Sequence, residues 1–532
     1  MNAVETPRRT GPPSLVTWCL GGVLFLTAIL YSPSLRNEFV YDDHFWIGNP
    51  HLGDWSFLWK SISNNLFWFH NTAGSPAISY YRPVQTAWFM LNDRLFGRDP
   101  IGWHAGTIAL HLIVVWLVYR VASMLTDELW TGLIAAALFA LMPIHAEAVI
   151  WTSAASYPLC AAFELGAFAL YLHPTGARRA ISLLLFGGAL LSHDSAIVFP
   201  ALVAIHGFLL QPHGSYKSDR SYFSGARAAI AAAWPYALEA AVYLAMRFAA
   251  IGFVSDAGHR HHVSPASLIG VLAVPRTIVR YAMLLVFPWM AGPAHRLASV
   301  SSVAVSGFYL PAAALIVIAG ASFALLRHHP HRRLYLFCAV WILIALAPAF
   351  MLTSLGLQDR YLYIPSVGFC AMVADLAIVF ARRARPAAIA AAIAGTAVAI
   401  VCAVRLVSVE GAWHSDVTLS RRCIANDPDN AGCHKLLGLA LEVRGELAAA
   451  RPQLEAAVNL DPKIQWDVFR ELSGLDRRLG DRPAAEQALS HWIGHLDPAS
   501  AGAYAQLAPA ADAAGDAKGT AAAIAQAAAL PG

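Results

Sequence analysis

Length, composition and charge exclude two broad classes of protein for this chain. Its 532 residues are 58% hydrophobic and 13% charged, which is too apolar for a soluble globular protein and typical of a polytopic membrane protein. The net charge of +4 is small and the basic residues are scattered over loop ends, so we expect no nucleic-acid partner.

The first apolar run, residues 14–31, follows two arginines and ends without a small-residue cleavage site. We interpret it as a retained membrane span rather than a removed signal peptide. A polar and aromatic stretch, residues 33–102, comes next. Its apolar residues recur at helical spacing, which predicts a first outer loop with amphipathic helices in the membrane interface.

Two adjacent carboxylates, Asp42 and Asp43, stand near the start of this loop in the motif FVYDDHFW. Aromatic neighbours at a membrane edge desolvate a carboxylate, which raises its basicity and suits it to take a proton from a hydroxyl group. An Asp-Asp pair also forms helix N-caps and turns. The spacing alone leaves both interpretations open.

Ten further apolar runs follow the loop, and together with the first run they predict eleven membrane spans. They lie at residues 103–124, 128–143, 155–172, 178–191, 195–211, 226–253, 302–326, 333–353, 361–381 and 386–408. The positions of Arg and Lys predict that the N-terminus is cytoplasmic and that the acidic pair and the C-terminus are outside. The segment 266–289 carries Pro275, Arg276 and Arg280, and we predict that it is re-entrant or interfacial.

Four motifs are predicted to reach the same outer face as the acidic pair. They are SYYRPV with Arg82, PIHAEAVIW with His145 and Glu147, LLSHDSAIVFP with His193 and Asp194, and LQDRYLYIPSVGF with Arg360 and Tyr361. Arginine beside aromatic residues suits a phosphate group, and ionisable residues at a membrane edge are commonly functional. Interface anchors, a packed His-Glu pair, helix caps and an aromatic belt remain as structural alternatives.

From residue 409 the composition becomes Ala-rich, charged and helical. Asp-Pro pairs begin at residues 427, 461 and 497, and these separations of 34 and 36 residues match the tetratricopeptide repeat (TPR). We predict a TPR α-solenoid over residues 409–532. Cys423 and Cys433 could form a disulfide if this region is extracytoplasmic.

The motifs FVYDDHFWIGNP, YYRPV, LMPIHAEAVIW and RYLYIPSVGF, followed by the repeats, occur in a recognisable order. In this order the chain resembles the transmembrane-and-TPR-containing protein O-mannosyltransferases, which are members of the GT-C glycosyltransferase superfamily. The resemblance implies an all-α GT-C-like bundle over residues 1–408, with the catalytic carboxylate in the first outer loop. It also implies a polyprenyl-phosphate sugar donor, usually mannose, and a protein Ser or Thr acceptor.

Carried over residue by residue, Asp42 and Asp43 match the acidic pair of that family, and residues 360–366 match its RYLYLPS turn. Two departures concern the donor side. The family usually follows its HxEAV motif with Gly-Arg-Ala-Asp, where this chain has WTSAASYP. The family's Ser-Lys-Glu is replaced by Ser192, His193 and Asp194, so a lysine for the donor phosphate is absent.

The resulting hypothesis is an inverting transfer in which one of the two aspartates deprotonates the acceptor hydroxyl. Arg82, His193 and Arg360 would stabilise the departing lipid phosphate, and the TPR domain would hold the protein acceptor. The motifs identify no cofactor, and the use of a divalent cation is left open. The expected location is a bacterial inner membrane with a periplasmic active site; transfer to a lipid or glycan, or a non-catalytic scaffold, are the alternatives.

Overall fold

The computed structural model describes residues 13–66, 80–210, 219–251, 268–295, 300, 302–350, 357–461 and 468–495. In these ranges the chain forms α-helices joined by 3₁₀ turns and loops, without a β-strand. The all-α prediction is therefore confirmed for the described residues. The chain separates into two compact units, which are treated one at a time below.

The first unit, called the membrane unit, comprises Met1–Leu66, Ser79–Gly292 and Leu297–Gly411. Its helices in chain order are α1 Pro13–Tyr31, α2 Asp43–Trp46, α3 Trp55–Ile62, α4 Pro83–Phe96, α5 Pro100–Thr126, α6 Leu129–Leu141, α7 Ala146–Ile150, α8 Ser156–Leu172, α9 Gly176–Ser192, α10 Phe199–Leu209, α11 Asp219–Ile251, α12 Leu268–Val286, α13 Ser306–Leu326, α14 Arg332–Phe350, α15 Pro365–Ala381 and α16 Arg385–Glu410. A helix lies in each of the eleven predicted apolar runs.

Seven helices in the described ranges are long and apolar enough to cross a membrane. The pair formed by α6 and α7 is bent by 58° and would make an eighth span if it crosses as one, while α10 and α15 are shorter apolar helices. A multi-pass membrane protein is thus supported, and the count of eleven stays a prediction. The segment α12, predicted to be re-entrant or interfacial, is not among the seven.

The bend between α6 and α7 has a local cause. Met142 precedes Pro143 and has an extended backbone (ψ 118°). Proline disfavours the helical conformation of the residue before it and has no N–H to donate within the helix. The chain therefore leaves α6, makes the 3₁₀ turn Pro143–His145 and restarts as α7. This turn carries His145 and places Glu147 one residue inside α7.

The second unit, called the C-terminal unit, comprises Phe67–Ile78, Pro293–Arg296 and Ala412–Gly532. Its described helices are α17 Asp416–Asn426, α18 Ala431–Val443, α19 Leu447–Leu460, α20 Val468–Arg478 and α21 Arg482–His495. A buried core that includes Leu437, Leu454 and Leu472 joins them. A Cβ on Gly438 would lie 2.5 Å from the Leu454 side chain, so α18 and α19 pack closely.

Cys423 of α17 and Cys433 of α18 form a disulfide, with their Cα atoms 6.0 Å apart. The bond that the sequence left open is therefore present in the structure. The Asp-Pro motif at residue 497 and the chain beyond it lie outside the described residues. The TPR solenoid stays a prediction, as does the domain boundary after residue 408.

Candidate active site

Asp43 fixes the start of the first outer loop to the turn after α7. Its side chain is buried; Oδ1 accepts a hydrogen bond from the backbone N–H of Ser153 at 2.8 Å and another from the Ser153 hydroxyl. Oδ2 accepts the backbone N–H of Val40 at 3.2 Å. Both carboxylate oxygens are thus engaged, which suits Asp43 to hold the loop in place.

Tyr41, just before the pair, has a φ of 55°. This left-handed conformation is unfavourable for a residue with a side chain, by about 1 kcal/mol or more. The surrounding contacts must compensate for it, and the fixed Asp43 supplies several of them. The turn orients the side chains of Asp42 and Asp43 differently although they are adjacent in sequence.

Asp42 is only partly buried, in contrast to Asp43. Burial raises the pKa of Asp42 to about 7, the negative charge of Asp43 adds to the rise, and the positive charge of Arg360 opposes it. A carboxylate with a pKa near neutrality is an effective general base. Trp151 connects the RYLYIPS turn with the residue before the acidic pair, because its ring centre lies 5.7 Å from that of Tyr41 and 5.1 Å from the Cζ atom of Arg360.

Arg360 and Glu147 join two of the predicted motifs. The Arg360 guanidinium pairs with Glu147 Oε1, and the backbone N–H of Arg360 donates to Glu147 Oε2 at 3.0 Å. Aromatic rings surround the guanidinium: its Cζ lies 5.1 Å from the ring centre of Trp151 and 5.2 Å from that of Tyr361. Arg360 is therefore held rigidly by one carboxylate and by cation–π contacts.

Arg82 joins the other two motifs. Its Nε donates to Asp194 Oδ1 at 3.3 Å, and its Nη2 lies 3.0 Å from His193 Nε2. Because a guanidinium only donates, His193 accepts this bond as the neutral imidazole. Burial and the charge of Arg82 lower the pKa of His193 to about 3, while the charges of Arg82 and Arg247 hold the pKa of Asp194 below its usual range against the effect of burial.

Tyr157 of α8 connects these two arginine clusters. Its ring centre lies 4.4 Å from that of His193 and 6.2 Å from that of Tyr361, and 6.0 Å from the Cζ atom of Arg360. The structure thus brings together Asp42, Arg82, His193, Asp194, Arg360 and Tyr361, all predicted from sequence. Glu147 joins them through its ion pair with Arg360.

His145 differs from the other predicted site residues, because it lies in the interior. It is fully buried, its Nδ1 donates to the Phe139 carbonyl at 2.8 Å, and its Nε2 lies 2.9 Å from Ser366 Oγ. Its ring also packs against Tyr363. These contacts fasten the α6–α7 turn to the start of α15. They differ from the packed His-Glu pair of the structural alternative, because Glu147 bonds Arg360 instead.

Three residues of the cluster were missed by the sequence analysis. Tyr157 and Ser153 lie in WTSAASYP, which was considered only for the charges it lacks. Arg247 of α11 pairs with Asp194 at 3.8 Å and is buried. An arginine inside an apolar run is itself a signal of a functional position, and that signal was available in the sequence. Among the described residues, no group of three or more His, Cys, Asp or Glu could hold a metal ion.

Comparison with known proteins confirms the resemblance expected from the motifs, although no family model matches the chain. It is 24% identical to the protein O-mannosyl-transferase F38B6.6 of Caenorhabditis elegans, over 83% of this chain and 63% of that protein. It is also 24% identical to the protein O-mannosyl-transferase TMTC4 of Mus musculus, over 81% of this chain and 65% of that protein. This chain is therefore similar in sequence to the TMTC protein O-mannosyl-transferases.

A shorter match has a higher identity: TMTC1 of Mus musculus is 35% identical over 23% of this chain and 13% of that protein. The chain therefore spans less than two thirds of the length of these relatives. All of them come from animals and give no support to a bacterial inner membrane, which stays a prediction. The solved structure of an Archaeoglobus fulgidus oligosaccharyltransferase matches with 16% identity, over 75% of this chain and 55% of that one, at a TM-score of 0.38, which is too low to support a conclusion.

Proposed function

We propose that this chain is a membrane glycosyltransferase that moves a sugar from a polyprenyl-phosphate donor to Ser or Thr hydroxyls of a protein acceptor. The observation that carries the proposal is the position of Asp42, a partly accessible carboxylate in the turn that Trp151 connects with Arg360. The named activity of the relatives supports protein O-mannosylation. Mannose is therefore the first sugar to test.

Within the acidic pair, we assign the base to Asp42 and a positioning role to Asp43. Asp43 uses both oxygens in hydrogen bonds to Ser153 and Val40, so it has little capacity to receive a proton from a substrate. Asp42 is partly accessible, and burial raises its pKa to about 7. In this proposal Asp43 holds the loop in place, and Asp42 accepts the proton from the acceptor hydroxyl.

The transfer is a single displacement with inversion. The acceptor oxygen attacks the anomeric carbon of the donor sugar while its proton passes to Asp42. The bond from the anomeric carbon to the phosphate oxygen breaks, and the lipid phosphate leaves with the electron pair. Arg82 and Arg360 stabilise the negative charge that grows on the phosphate, because fixed guanidinium groups in a water-poor site favour the transition state.

We place the active site and the C-terminal unit on the outer face of the membrane, with a cytoplasmic N-terminus. The charge pattern of the loops supports this orientation. The disulfide between Cys423 and Cys433 supports it for the C-terminal unit, since such bonds persist in oxidising compartments. A helical repeat unit there would bind the protein acceptor.

The proposal is tested with purified protein, a radiolabelled polyprenyl-phosphate mannose and an acceptor protein. We expect Asp42→Asn to lower the rate by 10²-fold or more, in keeping with the loss of a general base. Asp43→Asn should also lower the rate, together with the thermal stability, because it releases the loop. Glu38→Gln in the same loop is a matched control, in which a carboxylate outside this cluster is removed.

Full transfer by Asp42→Asn would contradict the base assignment. Label found in the lipid extract and not in protein would favour a lipid or glycan acceptor instead. If no sugar is transferred by the wild type, and truncation of the C-terminal unit alone abolishes the cellular phenotype, the non-catalytic scaffold becomes the better explanation.

A further inference from the structure

Tyr41 adopts a backbone conformation that is unusual for its residue type. In the described ranges two residues other than glycine have a positive φ, Tyr41 at 55° and Asp127 at 53°. Aspartate visits this left-handed region more often than most residues, whereas a bulky side chain there is an outlier. Asp127, at the end of α5, therefore follows the expected pattern, and Tyr41 departs from it.

The turn at residues 40–44 explains the backbone conformation of Tyr41 but not the choice of a tyrosine. The backbone N–H of Asp43 donates to the carbonyl of Val40 at 3.1 Å. The N–H of His44 donates to the carbonyl of Tyr41 at 3.3 Å, and Asp43 Oδ2 accepts the N–H of Val40. Glycine adopts a positive φ without the steric cost, so these hydrogen bonds do not require an aromatic side chain.

Burial in the core does not explain the tyrosine either. Tyr41 is 50% exposed, although its ring packs against that of Trp151 with 5.7 Å between the ring centres. The next residue is Asp42, the proposed base, which is partly accessible. A strained and half-exposed tyrosine beside a reacting group indicates a functional reason for its side chain, because such strain concentrates at sites that bind or react.

We infer that Tyr41 determines acceptor specificity by packing against the residue next to the acceptor Ser or Thr in an extended peptide. The inference rests on the proposed function, in which Asp42 takes the proton of the acceptor hydroxyl. Adjacent residues of an extended peptide are only about 3.3 Å apart along the chain, so a hydroxyl at Asp42 brings its neighbour to Tyr41. A tyrosine ring packs against apolar side chains, and its hydroxyl bonds peptide groups.

Trp151 separates this acceptor side of the site from the phosphate side. Its ring packs against Tyr41, and the Cζ atom of Arg360 lies 5.1 Å from its ring centre. In the proposed displacement the acceptor oxygen and the departing phosphate are on opposite sides of the anomeric carbon. Tyr41 is next to the base and Arg360 belongs to the phosphate side, so removal of Tyr41 should change the KM of the acceptor and not that of the donor.

The test uses two synthetic peptides that each contain one threonine, flanked on both sides by valine in one and by glycine in the other. Their binding to the full-length protein in detergent is measured by calorimetry. We expect the wild type to bind the valine peptide roughly tenfold more tightly, the effect of one additional apolar contact. Tyr41→Gly should bind both peptides equally, and Tyr41→Phe, which keeps the ring, should retain most of the preference.

Asp127→Gly is the matched control, because it changes the other left-handed residue, which is exposed. This variant should keep the wild-type preference for the valine peptide. Both glycine variants should melt at or above the temperature of the wild type, since glycine removes the backbone strain. In the transfer assay, Tyr41→Gly should raise the KM of the valine peptide roughly tenfold and leave the KM of the donor unchanged.

Four results would overturn the inference. They are equal binding of the two peptides by the wild type, an unchanged preference in Tyr41→Gly, a changed donor KM in that variant, and a melting temperature that falls in Tyr41→Gly but not in Tyr41→Phe. The last result would show that the ring is needed for the fold. Peptide binding and melting require no sugar transfer, so they decide the role of Tyr41 separately from the Asp42→Asn experiment, which tests the proposed function.

Discussion

At the scale of single residues, two adjacent aspartates acquire different properties from their surroundings. Asp43 is buried and bonded through both oxygens, whereas Asp42 is partly accessible and is not among the groups that fix the loop. The sequence predicted that one of the two aspartates is the base but did not distinguish between them. The difference arises from Ser153, more than a hundred positions away in the chain, and no local pattern reports such a contact.

The raised pKa of Asp42 predicts how the transfer rate depends on pH. Asp42 accepts a proton only when ionised, and its pKa is about 7, so the rate should rise as the pH increases through about 7 and then level off. A normal aspartate would give a constant rate above about pH 5. The measurement is kcat/KM for sugar transfer between pH 5 and 9. The polyprenyl-phosphate sugar donor is dissolved in an excess of detergent.

The Arg360→Gln variant serves as the reference for this profile. Arg360 lowers the pKa of Asp42, so its removal should move the midpoint to a higher pH, in addition to reducing the rate. A midpoint that stays in place would show that the titrating group is not Asp42.

At the scale of structural elements, the site depends on two turns that interrupt apolar helices. The turn after α6 carries His145 and Glu147, and the 3₁₀ turn Asp359–Leu362 carries Arg360. His145 fastens the first turn to Ser366 at the start of α15, and Glu147 fastens it to Arg360. The two motifs therefore form one structural element that orients Arg360.

We expect Glu147→Gln to destabilise the protein by about 3 kcal/mol, because breaking a buried ion pair leaves the Arg360 charge without its partner. Thermal unfolding in detergent and the transfer rate should both decrease. The control is Glu442→Gln, which breaks an exposed pair with Arg478 and should cost less than about 1 kcal/mol. Equal stability of the two variants would argue against the role of Glu147 as an anchor for Arg360.

At the scale of the whole molecule, the proposed orientation requires the C-terminal unit to be outside the cytoplasm. The Cys423–Cys433 disulfide gives a direct measurement of this. Intact cells treated with a membrane-impermeant maleimide should label these cysteines only after mild reduction. If labelling requires disruption of the membrane, the C-terminal unit faces the cytoplasm and the proposed topology is wrong.

The control for that experiment is the Cys423→Ser, Cys433→Ser variant, in which the label should be lost. The other cysteines of the described ranges are partly or fully buried. Removal of the disulfide should also lower the stability of the C-terminal unit by about 2–4 kcal/mol, the usual effect of a native crosslink.

The sequence alone indicated the membrane class, the positions of the helices and most residues of the candidate site. Apolar runs and turn residues act over short distances, so they predict helices and place motifs at helix ends. The resemblance then connected the acidic pair with the RYLYIPS turn. Composition also indicated the change to a soluble helical region after residue 408.

Only the tertiary structure decided which of these residues act together. It assigned His145 to the interior, paired Glu147 with Arg360, and brought Arg247 from α11 to Asp194. Such contacts join segments far apart in the chain, and burial changes charge and basicity by amounts that depend on the final packing. A sequence lists the ionisable groups, whereas the fold determines which of them share a site.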